Sequence, residues 1–395
     1  MFKTKEAKVF LVMAFVGGIC GAFFYPLSSL FIIEALGATP AMLSVYMILS
    51  IVASVVVSQL IAAKSDKGWN RKTILLFSLT SYFITVTGFG FIRDYYLAVG
   101  FAMIFGSLSG AIFGQLFALG REYADEHIED STSFLSIMRA GIAIAWVVGP
   151  PIAFTLKSAF GFSASFFAAA VATAITIVLA ACFLPNSMIE EQQAVEEKKG
   201  PVGTMVILFS VALILMFSAN NLYITTMPLY LSQELLVNAS WVGYMFGMAA
   251  LCEIPIMLKA GRLAARFGTM KLLALALVSG CLFFVAMLNV TEFWQLLSIQ
   301  VFNGLFIGMT ATLGMVAMQD MMRDRLGTAS TLFSNLLQVS MLIASLSVGV
   351  VGELYSYYAA FYVCLVLAAC SLLMLIYFVI VEANANKAEL AQQSS

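Results

Sequence analysis

Twelve long apolar runs constrain the fold of this chain more than any other feature. Each run has about 20 residues, the length that an α-helix needs to cross the hydrocarbon core of a bilayer. Only 10% of the residues are charged, against about 25% in an ordinary soluble domain. The runs are too long and too continuously apolar for barrel strands, which alternate in polarity over about 10 residues. We therefore predict an all-α membrane protein with twelve transmembrane helices, near 9–33, 41–63, 74–92, 95–118, 133–155, 162–184, 202–230, 240–259, 271–290, 293–317, 328–352 and 359–381.

A basic turn occurs twice in the chain, 199 positions apart. The first copy runs from Ala62 to Lys72 and the second from Gly261 to Lys271, each between two apolar runs. The same offset sets Arg139 opposite Gln338. One half is therefore predicted to be a diverged copy of the other, as in secondary transporters whose two bundles rock about a central site.

A charged stretch divides the two halves. Residues 185–201 contain four Glu and two Lys and have no apolar face. We predict an N-terminal six-helix bundle over 1–184, a cytoplasmic linker over 185–201 and a second six-helix bundle over 202–383. The polar tail, 384–395, is expected to be cytoplasmic and disordered.

The distribution of Lys and Arg predicts the orientation in the membrane. Seventeen of the 20 basic residues fall on the side that carries both termini, which marks that side as cytoplasmic. Arg93 and Lys157 fall on the other side, and Arg139 lies within a run. We expect a multi-pass protein of the inner membrane, a monomer surrounded by lipid. The net charge of −1 gives no indication of a nucleic-acid partner.

Cysteine and histidine give no sign of a metal or redox site. All six cysteines fall within predicted helices and have no ligand-like spacing, so free packed thiols are expected. The single histidine, His127, lies in an acidic loop and is interpreted as a surface residue. No metal, cofactor or enzymatic activity is predicted, because no nucleophile–base set or phosphate loop is present.

Two ionisable residues lie well inside apolar runs and are the main functional candidates. A charge at mid-bilayer costs about 2.5–3.5 kcal/mol, so it normally faces water or a partner. Arg139 and Glu253 each lie about six residues from a cytoplasmic helix end, roughly 9 Å deep. We predict that they form an ion pair or line one wet cavity. The alternative is that each belongs to a local helix-packing network.

Trp146 follows Arg139 by seven residues and so lies on the same helix face. A guanidinium donates several fixed hydrogen bonds, and an indole offers a flat apolar face. A sugar ring has hydroxyls on its rim and an apolar C–H face, so this pair suits a sugar. Packing is an equal alternative for Trp146.

Neutral polar side chains recur at mid-membrane depth. Asn and Gln both donate and accept hydrogen bonds, which matches paired hydroxyls. Some of these side chains are expected only to join helices. The candidates for contacting substrate are Asn220, Asn221, Tyr223, Gln300, Asn303 and Gln338.

The basic turns also predict a cytoplasmic gate. Asp66, with Lys67 and Arg71, could hold neighbouring helix ends together, and Arg266 stands in the second copy. Ala265 replaces the Asp there, so the cluster is asymmetric. The same basic residues are also explained by the positive-inside rule, by which Lys and Arg mark the cytoplasmic ends of membrane helices.

Several segments of the chain resemble those of a known family. The turn from Ala62 is similar to the G-x-x-x-D-[RK]-x-G-[RK]-[RK] motif of the major facilitator superfamily, with Ala62 for Gly and one extra residue. More narrowly, the chain resembles bacterial Set-type sugar efflux transporters. The segments that carry this resemblance are 115–125, 138–140, 145–151, 221–223, 227–229 and 253–255.

The resemblance implies roles for some residues. Arg139 and Trp146 resemble the Arg and Trp that contact sugar in the fifth helix of lactose permease, and Glu253 falls in the span with a sugar-site Glu. The permease's His–Glu proton pair is missing, and Asn303 is the nearest polar group. Glu253 is then the first candidate to carry a proton, with Asp66 and Glu34 behind it.

The function expected from the sequence is export of sugars or glycosides by alternating access, coupled to protons. A multidrug antiporter of the same fold is one alternative, kept open by 33 phenylalanines. A receptor or membrane enzyme without a transport cycle is another.

Overall fold

The structure, a computed structural model, describes residues 4–65, 69–129, 131–185, 203–238, 240–322 and 326–393. Helices make up all the regular elements of these ranges. The thirteen α-helices are α1 (Lys5–Leu30), α2 (Pro40–Ser65), α3 (Arg71–Phe91), α4 (Tyr95–Ile104), α5 (Ile112–His127), α6 (Ser131–Phe160), α7 (Phe162–Phe183), α8 (Thr204–Leu229), α9 (Ser240–Phe267), α10 (Thr269–Met287), α11 (Phe293–Met321), α12 (Leu326–Leu354) and α13 (Ala359–Gln393).

Twelve helical segments in the described ranges are long and apolar enough to cross a membrane. They match the twelve predicted runs, which confirms the all-α membrane fold. Polar caps define several helix starts: Asn70 accepts from the N–H of Thr73 at the start of α3, and Asp94 accepts from that of Leu97 at the start of α4. These caps satisfy N–H groups that the first helical turn leaves unpaired.

Three helices differ from the sequence-based expectation. The fourth span, Tyr95–Ala124, is broken by a 3₁₀ segment, Gly106–Ala111, between α4 and α5. α6 continues through Pro150 and Pro151 to Phe160, beyond the expected end at 155. α13 continues to Gln393, so the expectation of a disordered tail was wrong in the described part. The sequence after 381 is rich in Ala and lacks Gly and Pro, so nothing ends the helix.

The first helix of each half ends in the same unusual turn. π-helical turns at Phe31–Ala35 and Tyr230–Glu234 follow α1 and α8, and both helices begin and end 199 residues apart. Leu36 N–H donates to Phe31 O and Ala38 N–H to Ile32 O, and the matching bonds join 235 to 230 and 237 to 231. The predicted duplication therefore extends to local backbone geometry.

The chain forms two compact units that do not follow the midpoint of the sequence. Unit 1 comprises Met1–Val195 with Pro228–Gly247, and unit 2 comprises Glu196–Met227 with Met248–Ser395. The end of α8, its π turn and the start of α9 thus belong to unit 1 by their contacts. The linker proposed at 185–201 lies outside the described residues except for Pro185.

Each unit has an aromatic core. In unit 1, the Phe24 ring lies 5.0 Å from that of Phe89, and Phe31 lies 5.1 Å from Phe166. In unit 2, Tyr223 packs edge-on against Phe283 at 5.0 Å. Because these rings are almost fully buried, they fix the helix packing within each unit.

Candidate functional site

Arg139 lies on α6 in unit 1 and its side chain is exposed. Its guanidinium lies 5.6 Å from the ring centroid of Phe117 on α5, within the range of a cation–π contact. An exposed arginine within a membrane span has to meet water, a partner or a ligand, because hydrocarbon solvates it poorly.

Trp146 lies on the same face of α6, next to a close crossing with α1. A Cβ built on Gly18 would lie 2.7 Å from the Cβ of Ala145, and one built on Gly149 would collide with Ala22. Small residues at these positions let the two backbones approach closely. The crossing therefore fixes the position of Trp146, which remains partly exposed.

Glu253 lies on α9 in unit 2, where α11 packs against its backbone. A Cβ on Gly304 would lie 3.0 Å from the backbone nitrogen of Glu253, and one on Gly308 would lie 3.0 Å from its carbonyl oxygen. The backbone is therefore held in place, and the side chain is partly buried. Arg139 belongs to unit 1 and Glu253 to unit 2, so their pairing stays a prediction.

Three of the polar candidates form one buried chain in unit 2. The Tyr223 hydroxyl donates to Gln300 Oε1 at 3.4 Å, and Asn303 Nδ2 donates to the same oxygen at 3.0 Å. All three residues are at most 5% exposed. Asn303 Oδ1 is buried with no hydrogen-bond partner among the described residues. The chain joins α8 to α11 and leaves one acceptor available for a small donor.

The remaining polar candidates are more accessible. Asn221 Nδ2 donates to Ser340 Oγ at 3.2 Å, which joins α8 to α12. Asn220 and Gln338 are partly exposed. The structure thus brings Asn221 close to α12, while Tyr223, Gln300 and Asn303 form a separate buried group.

The basic turn is held to neighbouring helices of unit 1. Arg71 Nε donates to Glu122 Oε1 at 2.6 Å, joining α3 to α5. Lys72 Nζ donates to the carbonyls of Ala181 and Leu184 at 3.0 and 2.7 Å, at the end of α7. A cation at a helix C-terminus is favourable because the last carbonyls lack intrahelical partners. These contacts gather three helix ends in one place.

Of the other predicted gate residues, Asp66 and Lys67 lie outside the described residues. Arg266 is exposed near the end of α9, with its guanidinium 5.2 Å from the Phe267 ring.

Glu34 lies in the first π turn and has three polar partners. Lys157 Nζ donates to Glu34 Oε2 at 2.8 Å, and both side chains are largely buried. The Ser232 hydroxyl donates to Oε1, and Gln233 Nε2 donates to the same atom at 3.4 Å. The Lys157 ammonium also lies 4.8 Å from the Phe162 ring centroid. We call Glu34, Lys157, Ser232 and Gln233 the turn cluster.

Only one member of the turn cluster was predicted from the sequence. Lys157 was read as a loop residue, and Ser232 and Gln233 were not singled out. A signal did exist, since the repeat offset of 199 pairs Glu34 with Gln233, its neighbour in space. Within the described ranges, no group of three or more His, Cys, Asp or Glu side chains could hold a metal ion.

Comparison with solved structures is consistent with this fold. The chain superposes on the nucleoside transporter NupG with a TM-score of 0.73, at 16% identity, covering 95% of this chain and 99% of that one. It superposes on the peptide transporter POT in complex with sulfate with a TM-score of 0.75, at 12% identity, covering 97% and 96%. At these identities the likeness concerns the fold alone.

Comparison with curated proteins is more specific. The chain is 35% identical to sugar efflux transporter A of Dickeya chrysanthemi, covering 92% of this chain and 93% of that protein. It is 34% identical to sugar efflux transporter B of Salmonella typhimurium (93% and 94%) and 32% identical to sugar efflux transporter C of Escherichia coli (94% and 95%). Residues 9–211 and 208–394 each match the Major Facilitator Superfamily. The chain therefore belongs to the Major Facilitator Superfamily, in the family of the sugar efflux transporters.

Proposed function

We propose that this carrier exports sugars or sugar-like glycosides across the inner membrane by alternating access, in exchange for protons. The observation that carries the proposal is the pairing of an exposed arginine with a partly exposed tryptophan on one face of a membrane helix. Arg139 supplies hydrogen-bond donors and Trp146 an apolar face, which match the rim and the face of a pyranose ring. The names of the relatives support the same substrate class.

The polar residues of unit 2 take two roles in this proposal. Asn220, Asn221 and Gln338 are accessible and contact hydroxyls of the solute. The buried chain of Tyr223, Gln300 and Asn303 holds α8 against α11 and accepts a hydroxyl proton or a water at Asn303 Oδ1. A buried acceptor without a partner is unfavourable, so occupation of this atom stabilises the loaded carrier.

Glu253 is the proposed proton carrier. A carboxyl group in a membrane span is costly as an anion and is a natural site for protonation. The close packing of Gly304 and Gly308 against its backbone supports a defined position for the residue that carries the carboxyl group. Asp66 and Glu34 remain secondary candidates, but the ion pair of Glu34 with Lys157 favours a structural role for that carboxylate.

Alternating access requires one closure at each side of the membrane. Arg71, held by Glu122, belongs with Asp66, Lys67 and Arg266 to the cytoplasmic gate. The turn cluster is the extracytoplasmic closure, because it ties the π turn after α8 to the ends of α1 and α6. Release of Glu34 from Ser232 and Gln233 then accompanies opening to the outside.

Counterflow of labelled sugars in proteoliposomes tests the proposal. We expect wild-type flux to be lost in Arg139→Ala and in Glu253→Gln while the purified proteins remain folded and monodisperse. Arg121→Ala and Glu353→Gln change exposed residues of the same types and serve as controls that keep their flux. Full flux in both site variants would contradict the site assignment.

A multidrug substrate is less consistent with how phenylalanine is used. Of the 33 phenylalanines, twelve in the described ranges are less than 2% exposed, so these twelve fill helix cores instead of lining a pocket. We expect lactose or glucose analogues to compete with transport of a labelled sugar, and a cationic dye not to. The reverse result would favour the multidrug alternative. Sealed vesicles with neither solute flux nor proton movement would favour a receptor or enzyme.

A further inference from the structure

The guanidinium of Arg139 lies over an aromatic ring from a neighbouring helix. Its central carbon is 5.6 Å from the ring centroid of Phe117 on α5, within the distance of about 6 Å at which the face of an aromatic ring attracts a cation. The two helices pack closely beside this contact. Met138, next to Arg139, is fully buried, and a Cβ built on Gly120, one turn after Phe117, would lie 3.0 Å from its sulfur atom. The backbones that carry the cation and the ring are therefore held together.

The 3₁₀ segment Gly106–Ala111 determines which way α5 faces. Six residues of 3₁₀-helix turn the chain by about 720°, against about 600° for six residues of α-helix. Every side chain of α5 is therefore rotated by about 120° from its place in an unbroken span, and in this orientation Phe117 faces Arg139. The Ser81 hydroxyl donates to Phe105 O at 2.8 Å, just before the segment, which ties the break to α3.

A ring contact suits an arginine that binds a neutral, polyhydroxylated solute. A long arginine side chain has many rotamers, and ordering it on binding lowers the affinity. Contact with Phe117 restricts these rotamers before the solute arrives. A carboxylate would do the same, but it would accept hydrogen bonds from the N–H groups that a sugar hydroxyl needs. An aromatic face attracts the cation through its quadrupole, and the N–H groups at the edge of the guanidinium can still donate.

We propose that Phe117 is a positioning residue for substrate binding: its ring orients the Arg139 guanidinium, and Arg139 donates hydrogen bonds to hydroxyls of the solute. In this arrangement Phe117 acts only through Arg139. The inference rests on the proposed function and adds to it the residue that sets the direction of these hydrogen bonds. It also gives a basis for specificity, since a well-placed donor discriminates against a solute that lacks the hydroxyl opposite it.

Fluorinated phenylalanines at position 117 test this role in the purified full-length protein. Monofluoro-, difluoro- and trifluorophenylalanine, introduced at an amber codon, keep the shape of the ring, while each fluorine withdraws electron density from its face. The same series at Phe113, one turn earlier on α5, is the matched control. That ring packs beside Gly17, and within the described ranges no cation lies over it. Binding of lactose and of its monodeoxy analogues is measured by calorimetry, with melting temperature as the measure of folding.

We expect the Kd of lactose to rise stepwise with the number of fluorines at position 117, by about 2- to 5-fold in all, the size of an exposed cation–π contact. The series at position 113 should leave the Kd unchanged. The trifluoro variant at 117 should also lose less affinity when a hydroxyl is removed from the sugar, since a poorly oriented arginine gains less from that hydroxyl. Phe117→Leu should bind as weakly as the trifluoro variant, and Phe117→Tyr should bind like wild type.

The results also separate the role of Phe117 from the proposed function. A Kd that stays constant across the series at 117 would overturn the positioning role, and so would an equal rise across the series at 113. A rising Kd with an unchanged loss on hydroxyl removal would mean that the ring contacts the solute itself, which also overturns it. Wild-type protein that binds and transports sugars in any of these cases leaves sugar export standing. Folded wild-type protein that neither binds nor transports sugars overturns both.

Discussion

At the residue scale, Leu236 keeps a backbone conformation that suits glycine. Its φ is 53°, and the residue 199 positions earlier is Gly37, with φ of 64°. A left-handed conformation costs a side chain with a Cβ about 1–2 kcal/mol. Leu236 is 81% exposed, so its side chain gains little from packing in return. The two turns therefore share one shape although one copy lacks the residue that favours it.

Replacing Leu236 by glycine should stabilise the protein. We expect Leu236→Gly to raise the free energy of unfolding by about 0.5–1 kcal/mol, since glycine adopts a positive φ without strain but loses more chain entropy on folding. The neighbouring Leu235 has a φ of −81°, so Leu235→Gly should be destabilising. Thermal unfolding in detergent compares the two. A lower melting temperature for Leu236→Gly would show that the strain is unimportant.

At the element scale, glycines determine how closely neighbouring helices pack. A Cβ on Gly304 would lie 2.5 Å from the Cys252 Cβ and 2.7 Å from the Ala249 carbonyl, so α11 has no room for a side chain at this contact with α9. A glycine further along α11, Gly314, faces only the ends of the Leu213 and Phe333 side chains, at 3.3 and 3.5 Å.

These two glycines of α11 should respond differently to the same change. Gly304→Ala forces two backbones apart and should cost about 1–3 kcal/mol of stability, with a loss of flux because Glu253 moves with α9. Gly314→Ala is the control, since flexible side-chain ends can shift to accept a methyl group. Thermal unfolding and counterflow measure both effects. Equal behaviour of the two variants would contradict the close packing of α9 on α11.

The segment between α8 and α9 should also move during transport. The Ser158 hydroxyl donates to Asn238 Oδ1 at 2.7 Å, beside the turn cluster. We expect the double variant Ser158→Cys, Asn238→Cys to form a disulfide on oxidation and to stop counterflow, and a reductant to restore it. The exposed Cys182 and Cys370 are replaced by serine first, and Ser158→Cys alone is the control. A cross-linked protein that transports at the normal rate would show that this contact never opens.

At the scale of the whole molecule, unit 1 takes in Pro228–Gly247 from the second half of the chain. The two halves, cut between Val195 and Glu196, should therefore bind each other when expressed as separate fragments. We expect a tag on one fragment to purify both and the pair to show counterflow that neither shows alone. A cut after Ala172, inside α7, should abolish association because it divides a membrane helix. Folded fragments that do not copurify would contradict the assignment of this segment to unit 1.

How much of the fold and of the candidate site can be predicted from the sequence depends on whether the signal is local. The length of each apolar run sets a helix, and the repeat offset sets the two-part plan, so the fold class was predictable. The partner of Glu34 was not, because Lys157 is 123 positions away and nothing in its surroundings marks it.

The meeting of the two π turns has a consequence for the symmetry of the repeat. Positions 34 and 233 are equivalent in the two copies, and their side chains contact each other. A chain with the same residue at both positions would therefore place two identical side chains in contact. Two carboxylates there would repel each other beside a single ammonium group, Lys157. With Glu34 opposite a neutral amide, the same contact becomes attractive. The unlike residues at this pair avoid a self-repulsion that the symmetric pair created by Gln233→Glu would introduce.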